Sequence, residues 1–179
     1  MRLFAGCRIA NLGRSKEQAM LLGVVSDTHG QISYTREAVR MLAEFEPAAV
    51  IHCGDIGSVD IVRQFTKWPT HFVLGNVDDN VAELEAAIGK AGQQYYGRFG
   101  SLELAGRKIA FLHGDNSRRL KEEIASGAWD LVCSGHTHQR DERREGKTLV
   151  LNPGALYRAH PHSLAIVDLA TMGVTSVTI

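Results

Sequence analysis

The sequence predicts an α/β protein: two β-sheets packed face to face, with helices on the outside. Three observations predict it. The first half of the chain alternates short apolar runs with segments of helical period. The second half is mostly strand-like runs. Six times an apolar run stops and a metal-binding or phosphate-binding residue type follows, and ligands in open α/β sheets bind beyond the carboxyl ends of the strands.

The elements follow in order. LLGVVS (21–26) is short, apolar and valine-rich, a buried strand. Asp27-Thr28-His29-Gly30 follows. Ser33 is placed to cap a helix over about 34–46, with Ala38, Val39, Leu42 and Phe45 at helical spacing and Pro47 ending it. AAVIHC (48–53) is the second strand, closed by Gly54-Asp55. A short helix over about 58–66 buries Val59, Val62 and Phe65, and THFVLG (70–75) runs into Asn76-Val77-Asp78-Asp79. Asn80-Val81-Ala82-Glu83 resembles a capping box and opens a helix to about Gly89. Residues 92–106 read as a connection and then a strand over about 99–104, turned at Ala105-Gly106 into RKIAFL (107–112). His113-Gly114-Asp115, a helix over about 117–126 and the strand WDLVCS (129–134) lead to Gly135-His136-Thr137-His138. Residues 139–145 are charged and suit an exposed strand, and TLVL (148–151) precedes Asn152-Pro153-Gly154. SLAIVDL (163–169) and GVTSVTI (173–179) read as a closing hairpin.

At 179 residues the chain suits one domain with a real core. Residues 1–19 carry Arg2, Arg8, Arg14 and Lys16 against Glu17 and lack the features of a secretory signal. They read as an N-terminal extension, with Met20 as an alternative start and 20–179 as the single domain. The formal net charge is zero, so nothing points to long nucleic acid or an acidic membrane surface. Any anion must be caught locally. Cys7, Cys53 and Cys133 are far apart and odd in number, which is no disulfide framework; a reducing, cytoplasmic compartment follows. No apolar stretch approaches the roughly 18 residues of a membrane helix.

Asp27, His29, Asp55, Asn76, His113, His136, His138 and Asn152 all sit just after strand-like runs. Each alone is weak evidence, and the full set in this order is strong. Imidazole and carboxylate without thiolate suit Mn²⁺ first, with Fe, Ni²⁺, Co²⁺ and Zn²⁺ as alternatives. Two carboxylates and four neutral imidazoles carry −2. Two divalent ions and a bridging hydroxide bring the total to +1, which attracts a phosphate ester although the whole protein is neutral.

Asp27-x-His29, Gly54-Asp55, Gly75-Asn76, His113 and Gly135-His136-x-His138 resemble, in order, the signature of the calcineurin-like metallophosphoesterases, over about residues 20–170. The small YfcE-type phosphodiesterases are the most similar group. The resemblance implies a four-layer αββα sandwich of two mixed β-sheets and a binuclear metal centre. It places Asp27, His29 and His138 on one metal and Asn76, His113 and His136 on the other, with Asp55 shared. Asp55, Asn76 and His113 are then the catalytic candidates as well. The activity implied is hydrolysis of a small phosphodiester by a hydroxide formed between metals about 3.5–4 Å apart. Rival readings are a phosphomonoesterase or nucleotide pyrophosphatase on the same site, and a non-catalytic scaffold like the retromer subunit of this fold. The sequence leaves a homo-oligomer open.

Val77 departs from the pattern. Many metallophosphoesterases have a histidine directly after the motif asparagine, and the small phosphodiesterases often a cysteine. A valine can neither donate a proton nor bind phosphate. Asp78 reads as a cap of the next turn, and His52 as a core residue or a support behind the ligands. Asn152 reads as an organiser of its loop. His71 reads as structural, His160 and His162 as solvated loop residues, and Arg118 and Arg119 as an exposed helix face.

Overall fold

The computed structural model describes residues 20–179. The reading of residues 1–19 as an extension lies outside the described residues. Two mixed sheets form the middle of the molecule. The first has strand order β11-β10-β1-β2-β3-β4. Its strands are β1 (Leu21–Val25), β2 (Ala49–His52), β3 (Thr70–Phe72), β4 (Gln94–Tyr95), β10 (Ser163–Asp168) and β11 (Gly173–Thr178). The second has order β5-β6-β7-β9-β8, from β5 (Phe99–Leu104), β6 (Arg107–Leu112), β7 (Leu131–Cys133), β8 (Asp141–Glu145) and β9 (Thr148–Asn152).

Side-chain alternation builds four layers from these sheets. Ile51 of β2 and Cys53 just beyond it face the second sheet and pack with Leu22, Val24, Ile109, Phe111, Leu131, Cys133 and Leu151. Val50 faces the other way, into a cluster made with Leu42 of α1 (Ile32–Phe45), Ile61 and Val62 of α2 (Val59–Val62), and Leu84 and Ile88 of α3 (Val81–Lys90). The outer face of the second sheet is covered by Ile124 of α4 (Ser117–Ala125), on Ala110, Leu112, Val132 and Val150. Burial of these two-sided strands is the largest favourable contribution to the fold. Among the described residues, no helix is long and apolar enough to cross a membrane.

Ser33 lies inside α1 and caps nothing; Gln31 precedes the helix, without a side-chain cap bond. That start is set from outside, because His29 and Gly30 donate their N–H groups to the carbonyls of Asp55 and Ile56. The capping box at Asn80 is not made: α3 begins there without a side-chain cap bond. Residues 63–65 tighten into a 3₁₀ turn, and Val59 is only half-buried while Ile61 takes its place in the core. Strand β4 was not legible; it is two residues long and pairs parallel to β3, where the Gln93 side chain accepts the Thr70 N–H. The Ala105-Gly106 turn has both residues at positive φ, as a two-residue hairpin requires, and joins β5 to β6. Strand β8 is exposed along its whole length, and its charged DERRE sequence guards an open sheet edge.

Candidate metal centre

The carboxyl ends of β1, β2, β3, β6 and β7 converge at one end of the sandwich. Asp27 and His29 follow β1, Asp55 follows β2, Asn76 follows β3, His113 follows β6, and His136 and His138 follow β7. Five of these seven residues have a left-handed backbone: Asp27 (φ 54), His29 (φ 44), Asp55 (φ 53), His136 (φ 71) and His138 (φ 58). Non-glycine residues rarely adopt it, and such conformations concentrate at functional sites. Here it turns each side chain back over the end of its strand. Glycine supplies the clearance: a Cβ on Gly75 would stand 2.0 Å from Asp55 Oδ1, and one on Gly135 would stand 2.6 Å from Asp27 Oδ2.

The donor atoms face inward. Asp55 Oδ2 is 3.3 Å from His29 Nε2 and also 3.3 Å from His113 Nε2. Asp27 Oδ1 is 3.2 Å from His138 Nε2 and 3.8 Å from His29 Nε2. Asn76 Oδ1 is 3.1 Å from His113 Nε2. Two ligands bonded to one ion at about 2.0–2.2 Å stand about 3.0–3.5 Å apart, so most of these separations match the edges of a coordination polyhedron. Ligand atoms of Asp27, His29 and His138 lie within 4.8 Å of one another, as do those of Asp27, Asp55 and His113. His136 belongs to neither group. It is exposed, its ring packs edge-on against His113 at 5.1 Å, and its N–H donates to Asp27 Oδ2 at 3.0 Å.

The hydrogen bonds fix which atoms are free. His113 Nδ1 is 2.8 Å from the Cys53 carbonyl, so it carries the proton and Nε2 presents a lone pair. That lone pair looks at two more acceptors, Asn76 Oδ1 and Asp55 Oδ2. Asp27 Oδ1 and His29 Nε2 are buried and have no hydrogen-bond partner. Buried acceptors facing one another are costly unless a cation stands between them. The donor set therefore fits divalent metal.

Without metal the protons redistribute accordingly. Burial pushes the Asp27 carboxyl up, but His29 and the charges of His113 and His138 more than offset it and hold it below the ordinary range. At Asp55 burial is likewise outweighed, by His113, the Val77 N–H and His29. At His113 burial pushes down, and the Asp55 and Asp27 carboxylates win and raise it.

The surrounding residues have definite jobs. His52 is fully buried among Phe65 and Phe72. Its Nδ1 accepts the Gly54 N–H at 3.3 Å, so Nε2–H donates to Thr28 Oγ1 at 3.0 Å, and Thr28 donates onward to the Ile56 carbonyl. The ring thus ties the loop of Asp27 to that of Asp55. Asp78 does more than cap a turn: its oxygens accept from Ile56, Gly57 and Gly75, which locks the loops of Asp55 and Asn76 together. Asn152 Nδ2 donates to the Gly135 carbonyl and to Thr137 Oγ1, bracing the His136 and His138 loop. His71 bonds Tyr96, and Arg118 and Arg119 pair with Glu122 and Glu123. Tyr157 was missed by sequence reasoning: its ring lies 4.8 Å from that of His29 and 6.5 Å from that of His138. Only its position in the Asn152-Pro153-Gly154 loop hinted at it.

His52 gives a pH prediction. Burial holds its pKa down at about 3, against an ordinary value of 6.5. Between those values the unfolded chain binds a proton that the folded chain refuses, so stability falls as the pH falls. Asp27 and Asp55 lose their contribution only at lower pH, and the raised His113 acts above 6.5. His71 and His162 shift in the same direction as His52. Urea unfolding of metal-free protein should show a loss of about 2–3 kcal/mol from pH 6.5 to 4.5. His52→Gln should remove most of that slope; an unchanged slope would refute the assignment.

Comparison with known proteins agrees with the site. The sequence model of the calcineurin-like phosphoesterase superfamily domain matches residues 20–172. The chain belongs to this superfamily and is a hydrolase of phosphoric esters. It is 30% identical to a phosphodiesterase of Methanocaldococcus jannaschii over 138 residues, covering 75% of this chain and 83% of that one. A solved archaeal phosphodiesterase has a TM-score of 0.82 and 27% identity, over 89% of this chain and 100% of its own. The vacuolar protein sorting 29 protein of Cryptosporidium parvum has a TM-score of 0.59 and 19% identity, over 90% of this chain and 97% of its own, and shares the fold.

Proposed function

We propose that the protein hydrolyses small phosphodiesters with two divalent ions, manganese first among them, and works in the cytoplasm. The supporting observation is the position of Asp55 Oδ2, at 3.3 Å from both His29 Nε2 and His113 Nε2, which suits a carboxylate shared by two ions. Asp27, His29 and His138 would hold one ion and Asn76, His113 and His136 the other. Such a pair supplies Lewis acidity toward phosphoryl oxygens and a nucleophile at neutral pH.

The residues of the chain prepare that chemistry. The Cys53 carbonyl fixes the His113 tautomer, and the Val77 N–H holds Asp55 Oδ1 so that Oδ2 points inward. Carboxylate and amide oxygens suit manganese, and the imidazoles admit Fe, Ni²⁺, Co²⁺ and Zn²⁺ as well. Cys53 and Cys133 are free, buried thiols whose pKa burial pushes up, so neither offers a thiolate; free thiols also suit the cytoplasm.

The test has two arms. Titration of metal-free protein with Mn²⁺ should approach two equivalents per chain. The loaded enzyme should turn over bis(4-nitrophenyl) phosphate faster than 4-nitrophenyl phosphate. Saturation at one equivalent would overturn the binuclear reading, and preference for the monoester would overturn the substrate class.

A further inference from the structure

The loops at this end of the sandwich, residues 26–31, 53–58, 73–80, 96–98, 113–116, 134–140 and 153–162, contain three arginines and no lysine. Arg98 is engaged by Asp115 at 3.2 Å. Arg140 is engaged at the sheet edge, where its guanidinium donates to Ser176 Oγ at 2.9 Å. Arg158 is exposed, and the carboxylates of the centre pair with histidines rather than with it. Its guanidinium carbon lies 5.0 Å from the centre of the Tyr157 ring. The same ring packs against His29 and His138. One aromatic ring therefore links a cation to two candidate ligand imidazoles.

The loop is built to hold this position. Leu156 N–H donates to the Ser26 carbonyl, Ser163 Oγ donates to the Pro153 carbonyl, and His162 packs at 4.1 Å on the exposed Tyr34 of α1. Arg158 itself has φ 47, a conformation that non-glycine residues rarely adopt. The guanidinium is thus held on the Tyr157 ring, whose other neighbours are His29 and His138.

We propose that Arg158, seated on Tyr157, is a specificity-determining residue that binds a second anionic group on the substrate's ester substituent. This rests on the phosphodiesterase reading above. The reacting phosphoryl group belongs to the converging donor set, and Arg158 is free to read what the phosphodiester carries beyond it. A planar guanidinium presents a fork of donors to phosphate, and stacking on an aromatic ring orients it in advance. In a protein of zero net charge, such selectivity has to come from a local cation.

Two substrates with the same leaving group test this: thymidine 5′-(4-nitrophenyl phosphate) and its 3′-phosphorylated counterpart. The parent should show the lower KM for the 3′-phosphorylated ester. Arg158→Ala should raise that KM about 10-fold or more, and the other KM less than about 2-fold, with kcat nearly unchanged. Arg158→Lys should recover part of the loss. Competitive inhibition by thymidine 3′,5′-bisphosphate, relative to thymidine 5′-monophosphate, should weaken by the same ratio. Equal shifts for both substrates, or none, would overturn the Arg158 proposal and leave the phosphodiesterase reading standing. A parent that hydrolyses neither ester would overturn that reading, and the Arg158 proposal with it.

Discussion

Asp55→Asn is expected to lower phosphodiester turnover by about 10³-fold or more, well beyond the 10–100-fold typical of a supporting residue. The asparagine keeps the shape of the side chain and tolerates the left-handed backbone found at this position. Its Oδ1 can still accept the Val77 N–H. The amide nitrogen then replaces Oδ2 and points N–H bonds at the two Nε2 atoms that stand 3.3 Å away. Two hydrogens take the place meant for cations. The metal-free variant should therefore unfold at the same temperature as the metal-free parent or higher, and Mn²⁺ should raise the midpoint of the parent alone. His52→Ala should behave in the opposite way, losing about 10–100-fold in activity together with stability, because the ring supports Thr28 and fills space between Phe65 and Phe72. Equal and mild losses from both changes would refute the sharing of Asp55.

The difference between those two residues marks how far the sequence could be read. Ile51-His52-Cys53 is an apolar run ending at a glycine and a carboxylate, and that was enough to place a buried strand and a candidate ligand. The alternation of its side chains then decided the layers: Ile51 and Cys53 toward the second sheet, Val50 toward the helices. Strand and helix periods are local, so they survive in the sequence. Caps are not: Ser33 and Asn80 have the right side chains, yet the loops before them are held by contacts from residues 21 to 27 positions away. The same holds for Asp78, whose three N–H partners include two from the loop after another strand. The left-handed backbones of Asp27, His29 and His138 have only a weak signature in residue type, because Asp and His are enriched in that conformation but mostly adopt others. They are imposed by close approach of neighbouring loops, and Tyr157 became visible only once its loop was folded over His29.

Val77→His is expected to narrow the gap between aryl and alkyl diesters by raising the alkyl rate more than the aryl rate. An alkoxide needs a proton or a cation as it leaves, whereas a nitrophenoxide leaves readily without one. General acid catalysis typically contributes about 10²–10⁴-fold, and that contribution is what the parent lacks at this position. The Val77 side chain is 41% exposed and lines a cavity of about 270 Å³ with Gly57, Ser58, Asn80 and Glu83, so an imidazole there has room. Its backbone N–H would still hold Asp55 Oδ1. Asp78, the next residue, does not serve instead, because both of its oxygens already accept backbone N–H groups. The parent should therefore show a steep dependence of rate on leaving-group pKa across a series of substituted aryl and alkyl methylphosphonates or diesters, measured where chemistry limits turnover. The variant should show a shallower slope with nearly the same aryl rates. A flat dependence in the parent would mean that another group, such as Glu83 in that cavity or His160, already donates the proton, or that the ions alone carry the departing charge.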